Sequence, residues 1–260
     1  MEEATIGWGG LALSLILVAI AVVASLWRGL RLEREMLWAT GRALVQLLAA
    51  GAVLVVVIDE DAPVALAWAW AAGMVVVAAV TVRRRAPEVP GIGALAFVVT
   101  AASTALSLAV VFGLGIFPAV GRAIVPIAGI VIGNSLGSTV VAARRIITEL
   151  ADRRGEVEAR LALGQPWQEA SKPFVRSAMR TAMTTQIERT NVVGLVALPG
   201  AMTGLILAGV DPVDAVLVQA AIMYLILGAV AANVVGVGLG LTRRLFTPDH
   251  RLVRLARAAT

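Results

Sequence analysis

Long uncharged runs of Ala, Val, Leu and Ile, separated by short polar clusters, make up most of the 260-residue chain. Each run is near the roughly 20 residues that carry a helix across about 30 Å of hydrocarbon. The pattern predicts spans at about residues 6 to 26, 39 to 58, 62 to 82, 91 to 114, 123 to 143, 190 to 209 and 212 to 241. The last run is long and rich in glycine, which predicts a helix that is tilted or broken near Gly228. The expected fold is an all-α integral membrane protein. It is a single polytopic domain over residues 1–260 with a bundle of about seven transmembrane helices.

The polar clusters between runs alternate in character. Arg28, Arg31 and Arg34 follow the first run; Arg83, Arg84 and Arg85 the third; Arg144, Arg145, Arg153 and Arg154 the fifth; Arg243, Arg244, Arg251, Arg254 and Arg257 the seventh. The intervening loops hold Asp59, Glu60 and Asp61, then Arg122, then Asp211 and Asp214. Short cytoplasmic loops accumulate Lys and Arg, so the N-terminus is expected outside and the C-terminus in the cytoplasm. An odd number of spans fits that alternation.

Composition narrows the chemistry. Hydrophobic residues form 59% of the chain and charged residues 15%, against about 25% charged in a soluble domain. The pI near 11.1 would suggest nucleic acid in a soluble protein. Here the cations lie between apolar runs, where orientation in a bilayer explains them and no nucleic-acid partner is expected. Cysteine is absent and the single histidine, His250, lies in a polar tail, which excludes disulfides and thiolate metal sites. The N-terminal MEEATIG is acidic, unlike a cleavable signal, so the first run is expected to be retained as a span. No GxxxxGK[ST] loop occurs and Lys172 is the only lysine, so the chain has no nucleotide-binding motif of its own. HExxH and GxSxG are also missing, and no enzymatic activity is expected.

One polar stretch, residues 144–189, is long enough to act as a cytoplasmic element. In EVEARLALG (Glu156 to Gly164), Val157, Leu161 and Ala162 can share a face while Glu156, Glu158 and Arg160 stay wet. Gly164 reads as a helix stop and Pro166 as the first turn of another helix. In that second helix Trp167, Ala170, Phe174, Ala178 and Ala182 recur opposite Lys172, Arg176 and Arg180, which predicts a helix lying on the membrane surface. Spacing alone allows either a solvated connector or a helix-Gly-helix elbow that receives a soluble partner.

The run EARLALGQPWQEA (Glu158 to Ala170) resembles the cytoplasmic EAA loop of ABC permeases. GIVIGNS (Gly129 to Ser135) and GLVALPGAMTGLILAGVDPVDAVLVQAAIM (Gly194 to Met223) resemble the FetB-type permease family, bacterial iron-export permeases similar to plant aluminium-tolerance permeases. The resemblance covers most of the chain and is strongest from about Pro126 to Met223. It implies a permease subunit in the inner (plasma) membrane, present in two copies and driven by a separate P-loop ATPase that carries ATP and Mg. It also implies a metal cation such as iron as substrate, moved outward. Glu156, Glu158, Ala159, Leu161, Leu163 and Gly164 would then form the coupling elbow. The family usually has two methionines after LPG, whereas this chain has Ala201 and Met202. Glu188 occupies a position where the family often has an acid.

The same segments can be read from their chemistry. Pro199, Gly200, Gly204, Gly209 and Pro212 crowd the sixth run, where freed backbone groups need neighbours or a cavity. Broken helices often line transport sites, but close packing through glycines is the alternative. Among polar residues within the runs, Gln46, Ser103, Thr104, Ser107, Tyr224 and Asn233 suit interhelical hydrogen bonding as well as transport. Asn134, Ser135 and Gln219 lie in the family-like segments. With Glu188, Pro199, Gly200 and Met202, they form the expected translocation pathway. Metal ligands are not identified, and a pathway without Cys, His or a buried carboxylate suits only transient passage of an oxygen-ligated ion or a chelate. A secondary transporter or channel would normally use a central ionisable residue, and no run has one. A membrane scaffold that recruits a partner through the loop is the other alternative.

Overall fold

The computed structural model describes residues 7–59, 61–194, 198–247, 249 and 251–253. His250, Glu60, Arg254 and Arg257 lie outside the described residues. The chain divides into two compact units, Met1–Asp59 and Glu60–Thr260. Among the described residues the regular structure is entirely helical.

The first unit is a helical hairpin of α1 (Trp8–Arg28) and α2 (Glu33–Val57). The turn is built by Gly29, whose φ of 63° lets its N–H reach back to Leu26 while Leu30 N bonds Ser25 O. The buried Ser25 hydroxyl donates to Glu33 Oε1 at 3.0 Å and accepts from Leu32 N at 3.2 Å. Most other described side chains of the hairpin are exposed, including Leu17 at 72%. Helices apolar on all sides are stable with that surface in lipid, which supplies the apolar surroundings water cannot.

The second unit comprises α3 (Val64–Arg85), α4 (Ile92–Gly113), α5 (Gly121–Asp152), α6 (Arg154–Ala162), α7 (Trp167–Val192), α8 (Gly200–Leu207) and α9 (Pro212–Leu245). Its core lies where α5 and α9 meet, with α4 and α7 against α9 and α3 against α4 and α5. Three glycines allow the close approach. A Cβ on Gly236 would lie 2.7 Å from Val99 Cγ1, one on Gly240 2.5 Å from Leu95 Cδ1, and one on Gly238 would strike Met179. Small residues at such contacts let membrane helices pack by dispersion where no hydrophobic drive exists between them. The start of α9 follows from Asp211, which caps Val213 N at 2.8 Å, with Pro212 in the first turn.

Six of the described helices, α1 to α5 and α9, are long and apolar enough to cross a membrane. The chain is an all-α multi-span membrane protein, as its hydropathy predicts. Two local expectations change, and one pair of alternatives, a last span tilted or broken, is narrowed. The run expected as a sixth span, 190 to 209, is not one helix: α7 ends at Val192, Gly194 has φ 88°, and α8 is only eight residues. The break follows from Pro199, which precedes α8 in an extended conformation with φ −64° and ψ 145°. The last span is continuous through Gly228 rather than broken there. Finally, the apolar stripe of α7 is not a membrane-surface face, because Ala170, Phe174, Ala178 and Ala182 are buried against protein.

Candidate functional site

Two places concentrate polar groups in the second unit: a seam between α4 and α9, and the elbow formed by α6 and the start of α7. Thr100, Ser103, Thr104 and Ser107 repeat at helical spacing along one face of α4, and all are buried. Opposite them, Asn233 of α9 is fully buried. Its amide nitrogen donates to Ser103 Oγ and, at 3.0 Å, to Ala229 O; its carbonyl accepts from Thr100 Oγ1 at 3.1 Å. The Thr104 hydroxyl and Gln219 Oε1 are buried without a hydrogen-bond partner.

Along this seam a cleft of about 440 Å³ opens between the two helices. Ser103, Ser107 and Tyr224 contribute polar atoms to walls otherwise made by residues such as Phe117, Gly228 and Ala229. The expected pathway residues do not line it. Asn134 is half-buried on α5 and its amide donates to Ile130 O at 2.8 Å, while buried Ser135 donates to Val131 O at 2.8 Å. Glu188 is exposed on α7, Met202 half-buried on α8, and Pro199 half-buried before Gly200, which is exposed. Gln219 is 5% exposed on α9, about one and a half turns before the cleft-lining Tyr224 and about two and a half before Gly228. Sequence reading picked out Ser103, Ser107 and Tyr224 as polar positions without joining them. The signal that joins them is the four-hydroxyl spacing on α4 facing an Asn on α9.

The elbow has a buried root and an exposed tip. Val157 is completely buried, and Leu161 and Trp167 pack against the same core. Glu156, Glu158, Ala159 and Ala162 are exposed, and Leu163 is 82% exposed. Thus Ala162 does not share the buried face expected for it, because α6 ends there and the chain turns outward. Gly164, with φ 84° and open space around its Cα, makes the turn, and its N–H bonds Leu161 O at 3.0 Å. Arg153 pairs with Glu156 at 2.7 Å and Arg154 with Glu158 at 2.6 Å. The Glu156 hydrogen bond raises the Arg153 pKa further, so this cation stays charged at all accessible pH. Arg160, half-buried rather than wet, lies over the Phe174 ring at 5.7 Å.

Further arginines tie neighbouring turns to the ends of α5 and α9. Arg144 Nε lies 2.8 Å from Glu88 Oε1, and Arg244 donates to Gly91 O at 2.8 Å.

Residues 8–246, nearly the whole chain, match the model of the uncharacterised protein family UPF0014. The chain belongs to the UPF0014 family. Among UPF0014 proteins it is 37% identical to the membrane protein STAR2 of Oryza sativa over 82% of this chain and 74% of that one. It is 31% identical to the protein ALUMINUM SENSITIVE 3 of Arabidopsis thaliana over 85% and 81%. The probable iron export permease protein FetB of Escherichia coli is 28% identical over 94% of this chain and 93% of its own length. No solved structure matches the chain. The match to UPF0014 extends beyond the segment from Pro126 to Met223, where the FetB-type resemblance is strongest, and takes in both α1 and α2. As a UPF0014 member with six long apolar helices, the chain is a multi-pass membrane protein, and the inner membrane fits a bacterial permease.

Proposed function

We propose that this protein is the membrane-spanning permease subunit of an ABC-type transporter, working as a homodimer with two copies of a separate P-loop ATPase. The observation that carries the reading is the elbow: a short helix rooted by Val157 that presents exposed Leu163 on a glycine turn. An exposed apolar tip beside a turn with no competing side chain suits insertion into a groove on a partner, where shape decides contact. The ATPase supplies ATP and Mg chemistry; this chain contributes the dock and the pathway. The alternation of arginines supports a cytoplasmic elbow, an outer N-terminus and a cytoplasmic C-terminus.

The FetB name assigns iron export to that relative. We take the same class, a metal cation moved outward, as the substrate here. Among the described residues no three His, Cys, Asp or Glu side chains cluster as a metal cage. Hydroxyl and amide oxygens such as those of Ser103, Ser107 and Gln219 suit brief contact with a hydrated or chelated cation rather than its capture. Gln219 carries the expected pathway best, because its amide oxygen is buried without a partner while Asn134 and Ser135 bond within their own helix. The pathway is thus proposed to run from Met202 past Gln219 to the α4/α9 cleft.

The test is retention of the ATPase by the detergent-solubilised chain, together with its rate of ATP hydrolysis. Leu163→Asp should reduce both at least tenfold while the membrane unit still folds, since the tip is solvated. Normal ATPase retention and iron transport by Leu163→Asp would defeat the proposal.

A further inference from the structure

The elbow is held by more than its own chain. Beyond α9 the chain doubles back, with Phe246 and Leu252 in an antiparallel bridge. Thr247 N bonds Arg251 O and Val253 N bonds Leu245 O, each at 2.9 Å. Leu252 is 5% exposed and joins the same core as Val157, Leu245 and Phe246. Both arms of the elbow attach to this hairpin. On one arm, Arg154 of α6 donates through Nη2 to Leu252 O at 3.1 Å and through Nη1 to Val253 O at 3.3 Å, while Nε holds Glu158. On the other arm, Trp167, which opens α7, stacks on Phe246 at 5.5 Å with the rings 20° from parallel.

The position of Arg154 is costly in local terms. It is the first residue of α6, where the helix dipole disfavours a cation. A guanidinium there is explained by what it reaches: its planar fork bonds two main-chain carbonyls about a hundred residues away in sequence while Nε keeps Glu158, a fixed spread of three donors that the compact ammonium of a lysine does not match. A lone helix of nine residues would hinge under load at Arg153 and Gly164, since each end is a turn. Tied to the end of α9, it cannot hinge freely. On that same α9, Asn233 lies about 18 Å from Leu245 at a helical rise of about 1.5 Å per residue, and the cleft-lining Gly228 and Tyr224 about 26 and 32 Å.

We propose that Arg154 is a positioning residue that fastens the elbow to the hairpin after α9, so that ATPase movement at Leu163 is transmitted to α9 and its contact with α4. This rests on the reading of the elbow as the ATPase dock. α6 also packs on α7, and α7 meets α9 where Met179 faces Gly238, which makes a second route; the hairpin differs in being continuous with α9 itself, and Arg154 is the side chain that bonds α6 to it.

The experiment uses the full chain with its ATPase in nanodiscs and compares hydrogen exchange in α9 peptides with and without ATP and vanadate, which traps the motor. Wild type should change exchange over residues 224–240 on trapping. Arg154→Ala should retain the ATPase at wild-type stoichiometry while that change falls at least fivefold, and Arg154→Lys should recover part of it. Trp167→Leu, which keeps an apolar side chain but removes the stack, is the second variant and should reduce the change through the other arm, should Arg154→Ala fail to fold. A wild-type exchange change in Arg154→Ala overturns the inference alone. Loss of ATPase retention in a folded Arg154→Ala also overturns it, since Arg154 would then shape the dock rather than transmit from it. An ATPase that wild type does not retain overturns the underlying reading as well.

Discussion

Asn233 and Gln219 sit on one helix, both buried, and differ in what their amides meet. Asn233 bonds two side chains of α4 and a carbonyl of its own helix, whereas Gln219 Oε1 meets nothing. Replacing Asn233 by Leu strands the Thr100 and Ser103 hydroxyls, and should cost about 1–2 kcal/mol given the modest worth of hydrogen bonds between membrane helices. Replacing Gln219 by Leu removes an unsatisfied group and should leave stability unchanged or slightly raised. Thermal unfolding in detergent measures both. If Gln219 belongs to the pathway, Gln219→Leu should in addition lower iron transport several-fold at unchanged stability; an unaltered transport rate in that variant leaves the amide with no role in passage. Sequence reading marked both residues as polar within a span. It set Gln219 apart only because it lies in a family-like segment; which amide has a partner was not legible, because that depends on what α4 presents and so on helix rotation.

At the level of elements, glycines show the same division between what spacing reveals and what packing decides. Gly228, Gly236 and Gly240 look alike in the sequence, but only the last two face a neighbour within van der Waals reach. Gly236→Ala should destabilise by about 1–3 kcal/mol, because β-branched Val99 is stiff at χ1 and cannot swing away. Gly240→Ala should cost less, since the Leu95 side-chain end can move, and Gly228→Ala should be neutral or mildly stabilising through helix propensity. An order other than 236, 240, 228 in the measured unfolding midpoints would contradict this packing. The long spans were legible because hydropathy over about 20 residues averages out local detail. The same averaging runs straight through the break before α8, since it sums the apolar residues around Pro199 and Gly194; the crowding of Pro and Gly in that run is the signal that left a broken helix open. The α7 stripe was legible as a buried face but not as a protein-facing one, since lipid and the α5/α9 core are equally apolar.

The second unit, which holds most of the molecule, has a sidedness that contacts and charges describe together. Within the second unit, Arg144 near the end of α5 pairs with Glu88, and Arg244 near the end of α9 bonds Gly91 O, so the α3–α4 turn and both helix ends share one face. Arg154 joins the elbow to that face through the hairpin after α9. The lengths agree: α5 and α9, at 32 and 34 residues, would extend to about 48 and 51 Å, well beyond about 30 Å of hydrocarbon. The excess carries Arg144, Arg145, Glu149 and Asp152 on α5 and Arg243 and Arg244 on α9, at their C-terminal ends. Arginine-rich short loops mark the cytoplasmic side, so this face should be cytoplasmic and the α4–α5 turn external. The chain has no cysteine, which makes single-cysteine labelling clean. Ala119 lies exposed in the α4–α5 turn and Gly155 lies exposed at the elbow with open space around it. Ala119→Cys should react with a membrane-impermeant thiol reagent in intact cells, and Gly155→Cys only after the cells are opened. Reaction of both in intact cells, or of neither, would refute this orientation and with it a cytoplasmic dock for the ATPase.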